Sequence, residues 1–141
     1  VKTFIPSLID QYLDHDIYDA EIIFTEYAGH ATKIAAEAVA AHIDVVASVG
    51  GDGTINEVAS ALESSGKTMA IIPCGSGNGL ARTLKIPLDN RKAIQRLNAC
   101  KTVKIDSGTF NERKFFNMAG IGFDAHISAL FAKDKNRGFK G

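Results

Sequence analysis

Two glycine-rich stretches contain the residues best suited to binding a ligand. The first, Gly50-Gly51-Asp52-Gly53-Thr54-Ile55-Asn56-Glu57, follows a continuous apolar run and enters a helical pattern. Glycine lets a ligand approach the backbone closely, and the first N–H groups of a helix have no partner within the helix. Together with the positive end of the helix dipole, these donors favour an anion, most often phosphate. The stretch therefore predicts a phosphate site.

Asp52 is the informative residue of this first stretch. A carboxylate repels phosphate unless a Mg²⁺ ion or a transferable proton accompanies it. The alternative is a simple tight turn between a strand and a helix, with Asp52 or Thr54 as the N-cap. Four glycine or acidic positions in a row at this place favour the ligand site.

The second stretch is Pro73-Cys74-Gly75-Ser76-Gly77-Asn78-Gly79-Leu80-Ala81-Arg82, which also follows an apolar run and enters a helix. Ser76 and Asn78 stand between glycines and supply hydrogen-bond donors without adding charge. For Arg82, a phosphate contact and a solvated position on the helix surface are equally good interpretations. Ligands of doubly wound sheets bind at the carboxyl ends of the strands. The two stretches are therefore predicted to converge on one cleft.

Common nucleotide and hydrolase motifs do not fit the chain. There is no GxxxxGK[ST] sequence, Asn56 replaces the third glycine of a dinucleotide fingerprint, and GxSxG is absent. The match Gly120-Ile121-Gly122-Phe123-Asp124-Ala125 follows a hairpin strand, so we interpret it as structural. Among the histidines, only His30 is expected at the mouth of the cleft.

Composition indicates a folded protein with no dominant charge. The chain has 141 residues, 16 Lys and Arg, 16 Asp and Glu, and 45% hydrophobic residues. This excludes disorder and argues against a nucleic-acid partner that needs a basic field. Cys74 and Cys100 match no disulfide framework or zinc spacing. No apolar run reaches the roughly 18 residues of a membrane span.

Hydrophobic periodicity predicts the elements that position these loops. Apolar runs predict strands at residues 20–25, 44–49 and 69–72, and helical spacing separates them. Pro6 is predicted in the first turn of one helix, and Gly66 as the stop of the helix that contains Leu62. Alternating strands and helices predict a three-layer α/β unit with a parallel sheet over residues 1–100.

The pattern changes after residue 100. Residues 102–106 and 114–118 are predicted to form an antiparallel hairpin around Asn111-Glu112, and residues 123–133 look helical. Residues 101–141 are therefore interpreted as the beginning of a second, β-rich domain.

Both glycine stretches, at their observed spacing, resemble the catalytic domain of the diacylglycerol kinase family of lipid kinases. The first stretch alone also resembles NAD kinases and 6-phosphofructokinases, and the second favours the lipid kinases. Phe24-Thr25-Glu26 with Gly29-His30-Ala31 is similar to the family's nucleotide-side threonine segment. Residues 103–124 look like the family's crossing into a β-sandwich domain. The resemblance implies a phosphofructokinase-like αβα fold.

The resemblance also implies a set of site residues and a reaction. Asp52 is the expected catalytic residue, organising Mg²⁺ or the acceptor hydroxyl. The expected ATP-binding residues are Thr25, Gly50, Gly51, Asp52, Gly53, Thr54, Ile55, Asn56, Glu57, Gly75, Ser76, Gly77 and Asn78. The expected reaction transfers the γ-phosphoryl group of ATP to a lipid hydroxyl, such as that of diacylglycerol or a sphingoid base.

The sequence differs from the usual pattern of the family at two places. Family members usually begin with a strand and an Asn-Pro loop, which do not precede Pro6, and Gly79 stands where many bacterial members have Asp. The family's general base and metal-holding carboxylates are expected past residue 141, so residues 1–141 alone are expected to be inactive.

The resemblance also implies binding partners and a location, and two other functions stay open. The expected partners are ATP and a lipid at the membrane surface, with no nucleic acid, and homodimerisation stays open. The expected location is the cytoplasm, with peripheral membrane association during turnover. An NAD kinase-like or other small-molecule kinase and a non-catalytic nucleotide-binding domain remain alternatives.

Overall fold

The computed structural model describes residues 4–118, which form an α/β unit followed by a hairpin. Its strands are β1 (Val45–Gly50), β2 (Thr68–Pro73), β3 (Gly108–Phe110) and β4 (Arg113–Phe115). Its helices are α1 (Ile5–Tyr12), α2 (His30–Ala40), α3 (Asp52–Leu62), α4 (Gly79–Thr83) and α5 (Asn90–Leu97). The predicted αβα architecture with a parallel sheet is confirmed.

The parallel pair β1 and β2 forms the middle layer. Val45 is opposite Thr68 and Gly50 is opposite Pro73, so both strands end at the same edge. This common edge brings the two glycine stretches together.

Helices cover both faces of this pair because successive strand side chains alternate between the faces. On one face, α2 and α3 pack over Val46 and Met69 through a cluster that includes Ala35 and Val58. On the other face, α1 and α5 enclose Ile72. The buried side chains Ile5 and Ile94 belong to this second cluster, so each helix layer has its own apolar core.

Local signals account for the starts of α1 and α5. Pro6 lies in the first turn of α1, as predicted. The Asp89 side chain accepts a hydrogen bond from the Lys92 N–H and caps α5. Gly66 is not the residue that ends α3: the helix finishes at Leu62, and Ser64 adopts the left-handed conformation there. Gly66, with φ +74°, lies later in the same turn.

The strand predicted at residues 20–25 is not present, since residues 18–26 have no regular secondary structure. A cavity of about 180 Å³ separates this segment from β1, and both line it. Strands must lie about 4.8 Å apart to share hydrogen bonds, so the segment does not pair with β1. Ile23 and Phe24 remain about half exposed.

The predicted hairpin is confirmed, but both of its strands are shorter than expected and the first begins later. Residues 101–107 have no regular structure, and β3 begins at Gly108. Asn111 and Glu112 form the turn, both with positive φ. The helix predicted at residues 123–133 and the glycine match at residues 120–125 lie outside the described residues.

Within residues 4–118, no helix has the length and apolar character needed to cross a membrane.

Candidate functional site

The two glycine stretches touch each other at the carboxyl edge of β1 and β2. A Cβ on Gly75 would lie 2.5 Å from the Cα of Gly51, and one on Gly51 would lie 3.1 Å from the Cα of Gly75. Side chains at these positions would push the backbones apart, so glycine is required for the contact. The predicted convergence of the two stretches is therefore present in the structure.

The first stretch forms the start of α3. Gly51 is the N-cap in an extended conformation, and no side chain caps the helix. The alternative that Asp52 or Thr54 is the N-cap is therefore wrong. The N–H of Ile55 already donates to the Gly51 carbonyl at 3.0 Å. The N–H groups of the four residues before Ile55, from Gly51 to Thr54, are the ones that the helix leaves without an internal acceptor.

Asp52 connects this helix to the second stretch. Its Oδ1 accepts a hydrogen bond of 2.6 Å from the Gly79 N–H. Its Oδ2 lies 2.7 Å from the position that a Cβ on Gly77 would occupy. The carboxylate thus lies between the two loops and holds the second against the first.

Asn78 holds the second loop together from within. Its side chain accepts a hydrogen bond from the Gly75 N–H at 2.9 Å and donates to the Gly75 carbonyl at 2.7 Å. Only 6% of Asn78 is exposed, and its φ of 53° is left-handed. Its amide therefore shapes the loop, whereas Ser76 and Gly77 are exposed at the tip.

Arg82 is anchored on the same loop by its Nε, which donates to the Gly77 carbonyl at 2.8 Å. Burial raises the pKa of the neighbouring Cys74 thiol, and the Asn90 amide that donates to Sγ only partly offsets this. The thiol is therefore kept protonated, as expected for a packing residue.

Other predicted site residues occupy more distant or structural positions. The Ile55 side chain is 2% exposed and packs in the core, while Gly53 and Asn56 are exposed at the start of α3. The Glu57 carboxylate accepts a hydrogen bond from the Gly29 N–H at 3.0 Å, which ties α3 to the start of α2. His30 follows Gly29, and its ring stacks on Tyr27 with centroids 4.5 Å apart.

Two of the predicted site residues, Thr25 and Thr54, belong to the first cavity rather than to the contacts between Asp52 and the second loop. Both threonines line the cavity between residues 20–25 and β1. The Thr54 side chain occupies the space beside Gly50, where a Cβ would lie 2.7 Å from it. Thr54 therefore connects the first glycine stretch to this cavity, while Asp52 connects it to the second loop.

A second cavity, of about 390 Å³, is lined by Asp52 together with Asn56 and Gly79. The hairpin side of its lining is contributed by residues 115–118. Asn117 accepts a hydrogen bond of 3.0 Å from the Thr83 hydroxyl of α4. No role is predicted for Asn117 from the sequence; the signal available is its place within residues 103–124, which look like the family's crossing into a β-sandwich domain.

Among residues 4–118 no group of three or more His, Cys, Asp or Glu side chains is arranged to hold a metal ion. A metal bound mainly by nucleotide phosphates needs only one or two protein carboxylates. Asp52 fits that requirement, because Oδ2 is not the oxygen bonded to Gly79.

Residues 2–110 match the family model described as the diacylglycerol kinase catalytic domain. A probable lipid kinase, YegS-like, from Pseudomonas putida is 34% identical over 116 residues, 81% of this chain and 39% of that protein. A diacylglycerol kinase from Staphylococcus haemolyticus is 35% identical over 129 residues, 90% of this chain and 39% of that protein. The chain thus spans about two fifths of the length of these relatives.

The crystal structure of a diacylglycerol kinase from Bacillus anthracis superposes on the chain with a TM-score of 0.67 and 27% identity. The match covers 78% of this chain and 42% of the other. The sequence comparisons and the fold comparison therefore indicate the same family.

Proposed function

Because the chain belongs to the diacylglycerol kinase catalytic-domain family, a family of lipid kinases, we propose that it is the nucleotide-binding part of an ATP-dependent lipid kinase. The phosphoryl acceptor in this proposal is the hydroxyl of a lipid such as diacylglycerol or a sphingoid base. The observation that supports it most is the contact between two glycine loops with Asp52 between them. Phosphoryl transfer relies mainly on positioning and charge neutralisation, which suits such a site.

In this proposal the backbone provides most of the phosphate binding. The free N–H groups at the start of α3 donate to phosphate oxygens, and the helix dipole favours the negative charge. The exposed tip of the second loop, Ser76 and Gly77, faces the phosphates from the other side. The chain needs no basic cluster for this task, in keeping with its equal numbers of acidic and basic residues.

Asp52 has two tasks in the proposal. Its Oδ1 keeps the second loop in place through Gly79. Its Oδ2, together with nucleotide phosphates, would hold Mg²⁺, which neutralises charge on the transferred group. Because one side chain has both tasks, the test must use substitutions that separate loss of the hydrogen bond to Gly79 from loss of the negative charge.

The test compares Asp52→Asn and Asp52→Ala in a full-length protein that contains this chain. The amide oxygen of Asn still accepts from Gly79, whereas Ala removes both the acceptor and the charge. We expect both variants to lose about 100-fold or more in activity, a typical cost of losing a transition-state charge contact. Only Asp52→Ala should also lower thermal stability. Full activity in Asp52→Ala would contradict the role.

The acceptor is tested with labelled ATP against vesicles that contain diacylglycerol or a sphingoid base, and against NAD and sugar phosphates. Lipid phosphorylation supports the proposal, while phosphorylation of NAD or a sugar phosphate favours the other kinase classes. Nucleotide binding without turnover on any acceptor favours a non-catalytic domain. Membrane contact, a cytoplasmic location, the absence of a nucleic-acid partner and the division into domains at residue 100 remain predictions.

A further inference from the structure

Asn117 is the residue through which the hairpin reaches the glycine loops. It follows β4 by two positions and lines the 390 Å³ cavity together with Asp52, Asn56 and Gly79. The same hairpin segment packs on the core, where Phe116 contacts the cluster that contains Ile71 and Leu80. Asn117 is thus a polar side chain on an anchored segment, directed at the loops.

The orientation of the Asn117 amide follows from its contacts. Oδ1 accepts the hydrogen bond from the Thr83 hydroxyl. Nδ2 lies 2.8 Å from the position that a Cβ on Gly79 would occupy. The amide fits there because Gly79 has no side chain.

The Asn117 amide places a hydrogen-bond donor for a phosphoryl oxygen beside Asp52. Asp52 Oδ1 lies 3.5 Å from the same point above Gly79, so a carboxylate and an amide donor lie close together. Within the part of the chain that the structure describes, Nδ2 has no hydrogen-bond acceptor. An amide with its oxygen already bonded offers only N–H donors, and these suit an anionic oxygen.

The position of Asn117 in the cleft selects the phosphate it would meet. Asp52 and Asn117 line the same cavity, whereas Thr25 and Thr54 line the other one. In the proposed function Asp52 helps to neutralise charge on the transferred group, so that group would lie beside it. A nucleotide bound in this way would place its terminal phosphoryl group next to Asn117.

We infer that Asn117 Nδ2 donates a hydrogen bond to an oxygen of the terminal phosphoryl group of the bound nucleotide. Asn117 is then a substrate-contacting residue supplied by the hairpin, with Thr83 as the residue that orients its amide. The inference rests on the proposed function and deepens it, because it separates triphosphate from diphosphate recognition.

The experiment measures the dissociation constants of ATP and ADP, each with Mg²⁺, for a full-length protein that contains this chain. Asn117→Asp keeps the shape of the side chain but replaces the donor by an anionic oxygen. We expect ATP binding to weaken about tenfold or more, as for a hydrogen bond to a charged group, while ADP binding changes less than about twofold. Thr83→Val should weaken ATP binding in the same direction, and by less.

Asn111→Asp is the matched control, since it makes the same chemical change at the exposed hairpin turn. Asp tolerates the left-handed conformation of that position, so both nucleotides should bind as in the wild type. If Asn117→Asp binds both nucleotides as the wild type does, the inference is overturned and the proposed function stands. Equal weakening of ATP and ADP overturns it as well, because it shows a structural role. A wild type that binds neither nucleotide overturns both the inference and the proposed function.

Discussion

At the scale of single residues, the site depends on where side chains are missing. The two loops meet because neither Gly51 nor Gly75 has a Cβ, and the Asn117 amide reaches its place because Gly79 has none. Asn78 then fixes the second loop with two hydrogen bonds to Gly75. These contacts are set by backbone geometry, so small substitutions should have large effects.

Substitution of Gly75 by Ala tests this. The new Cβ would lie 2.5 Å from Gly51 Cα, which is backbone, and 2.9 Å from Asn78 Oδ1, which is held by its hydrogen bond from the Gly75 N–H. We expect the free energy of unfolding to fall by about 1–3 kcal/mol, as for other overpacked sites. Urea denaturation of the wild type and the variant measures this difference.

Gly53→Ala is the matched control. No atom lies within 4 Å of a Cβ at this position, which is within the first turn of α3. Ala in place of a helical Gly should stabilise the protein by about 0.5–1 kcal/mol. Equal stability of the two variants would contradict the importance of the contact between the loops.

At the scale of elements, β1 is hydrogen-bonded to a neighbouring strand on one edge only within residues 4–118, and that strand is β2. The Thr68 N–H donates to the Asp44 carbonyl, and the Cys74 N–H donates to the Gly50 carbonyl. This register directs the backbone groups of the even-numbered residues of β1 toward β2. Those of Val45, Ala47 and Val49 point to the opposite edge, where Ala47 and Val49 line the cavity. The buried Ser48 Oγ has no hydrogen-bond partner within residues 4–118.

Hydrogen exchange should reveal this difference along one strand. The amides of Val46, Ser48 and Gly50 are bonded to β2, whereas those of Val45, Ala47 and Val49 are not. We expect the second set to exchange at least about tenfold faster, because exchange of a bonded amide requires local opening. Residue-resolved NMR exchange on residues 1–141 measures both sets in one sample. Equal protection would mean that the second edge is also hydrogen-bonded in solution.

At the scale of the whole molecule, polar contacts at two places hold the hairpin to the α/β unit, in addition to the packing of Phe116 on the core. One is the Asn117–Thr83 hydrogen bond beside the loops. The other is Glu63, just after α3, which pairs with Lys114 of β4 and accepts a hydrogen bond from the Ser107 hydroxyl. Both contacts join the hairpin to the elements that follow the two glycine loops, so docking of the hairpin and formation of the cleft are coupled.

Glu63→Gln tests the docking of the hairpin. The ion pair is partly exposed, so we expect a loss of only about 0.2–1 kcal/mol in stability. Hydrogen exchange across residues 108–115 should nevertheless rise, and the difference from the wild type should shrink at about 1 M salt, where charges are screened. Glu37→Gln is the control, because its pair with Lys33 is exposed on α2. Unchanged exchange in the hairpin of Glu63→Gln would contradict this role.

Sequence patterns predicted much of the fold and the main parts of the site. Apolar runs located β1 and β2, helical spacing located the helices, and the glycine stretches located the two loops. These features follow from interactions between residues close in the chain, which a sequence pattern records directly. The Asn111-Glu112 turn was predicted for the same reason.

Other features depended on residues far apart in the chain. The apolar run at residues 20–25 has strand character, but a strand forms only against a neighbouring edge, and a cavity lies between this segment and β1. The sequence predicts that the Asn78 side chain donates to a ligand, but in the structure its amide is hydrogen-bonded to the Gly75 backbone.

The sequence by itself determined the family, the α/β layering and the two loops, because local spacing and motif encode them. Only the tertiary structure decided which atoms of those loops are free. Asp52 uses Oδ1 to hold Gly79, and Asn117 enters the cleft from a hairpin more than 30 positions after Gly79. Such contacts arise when separate elements pack together, so no pattern of neighbouring residues specifies them.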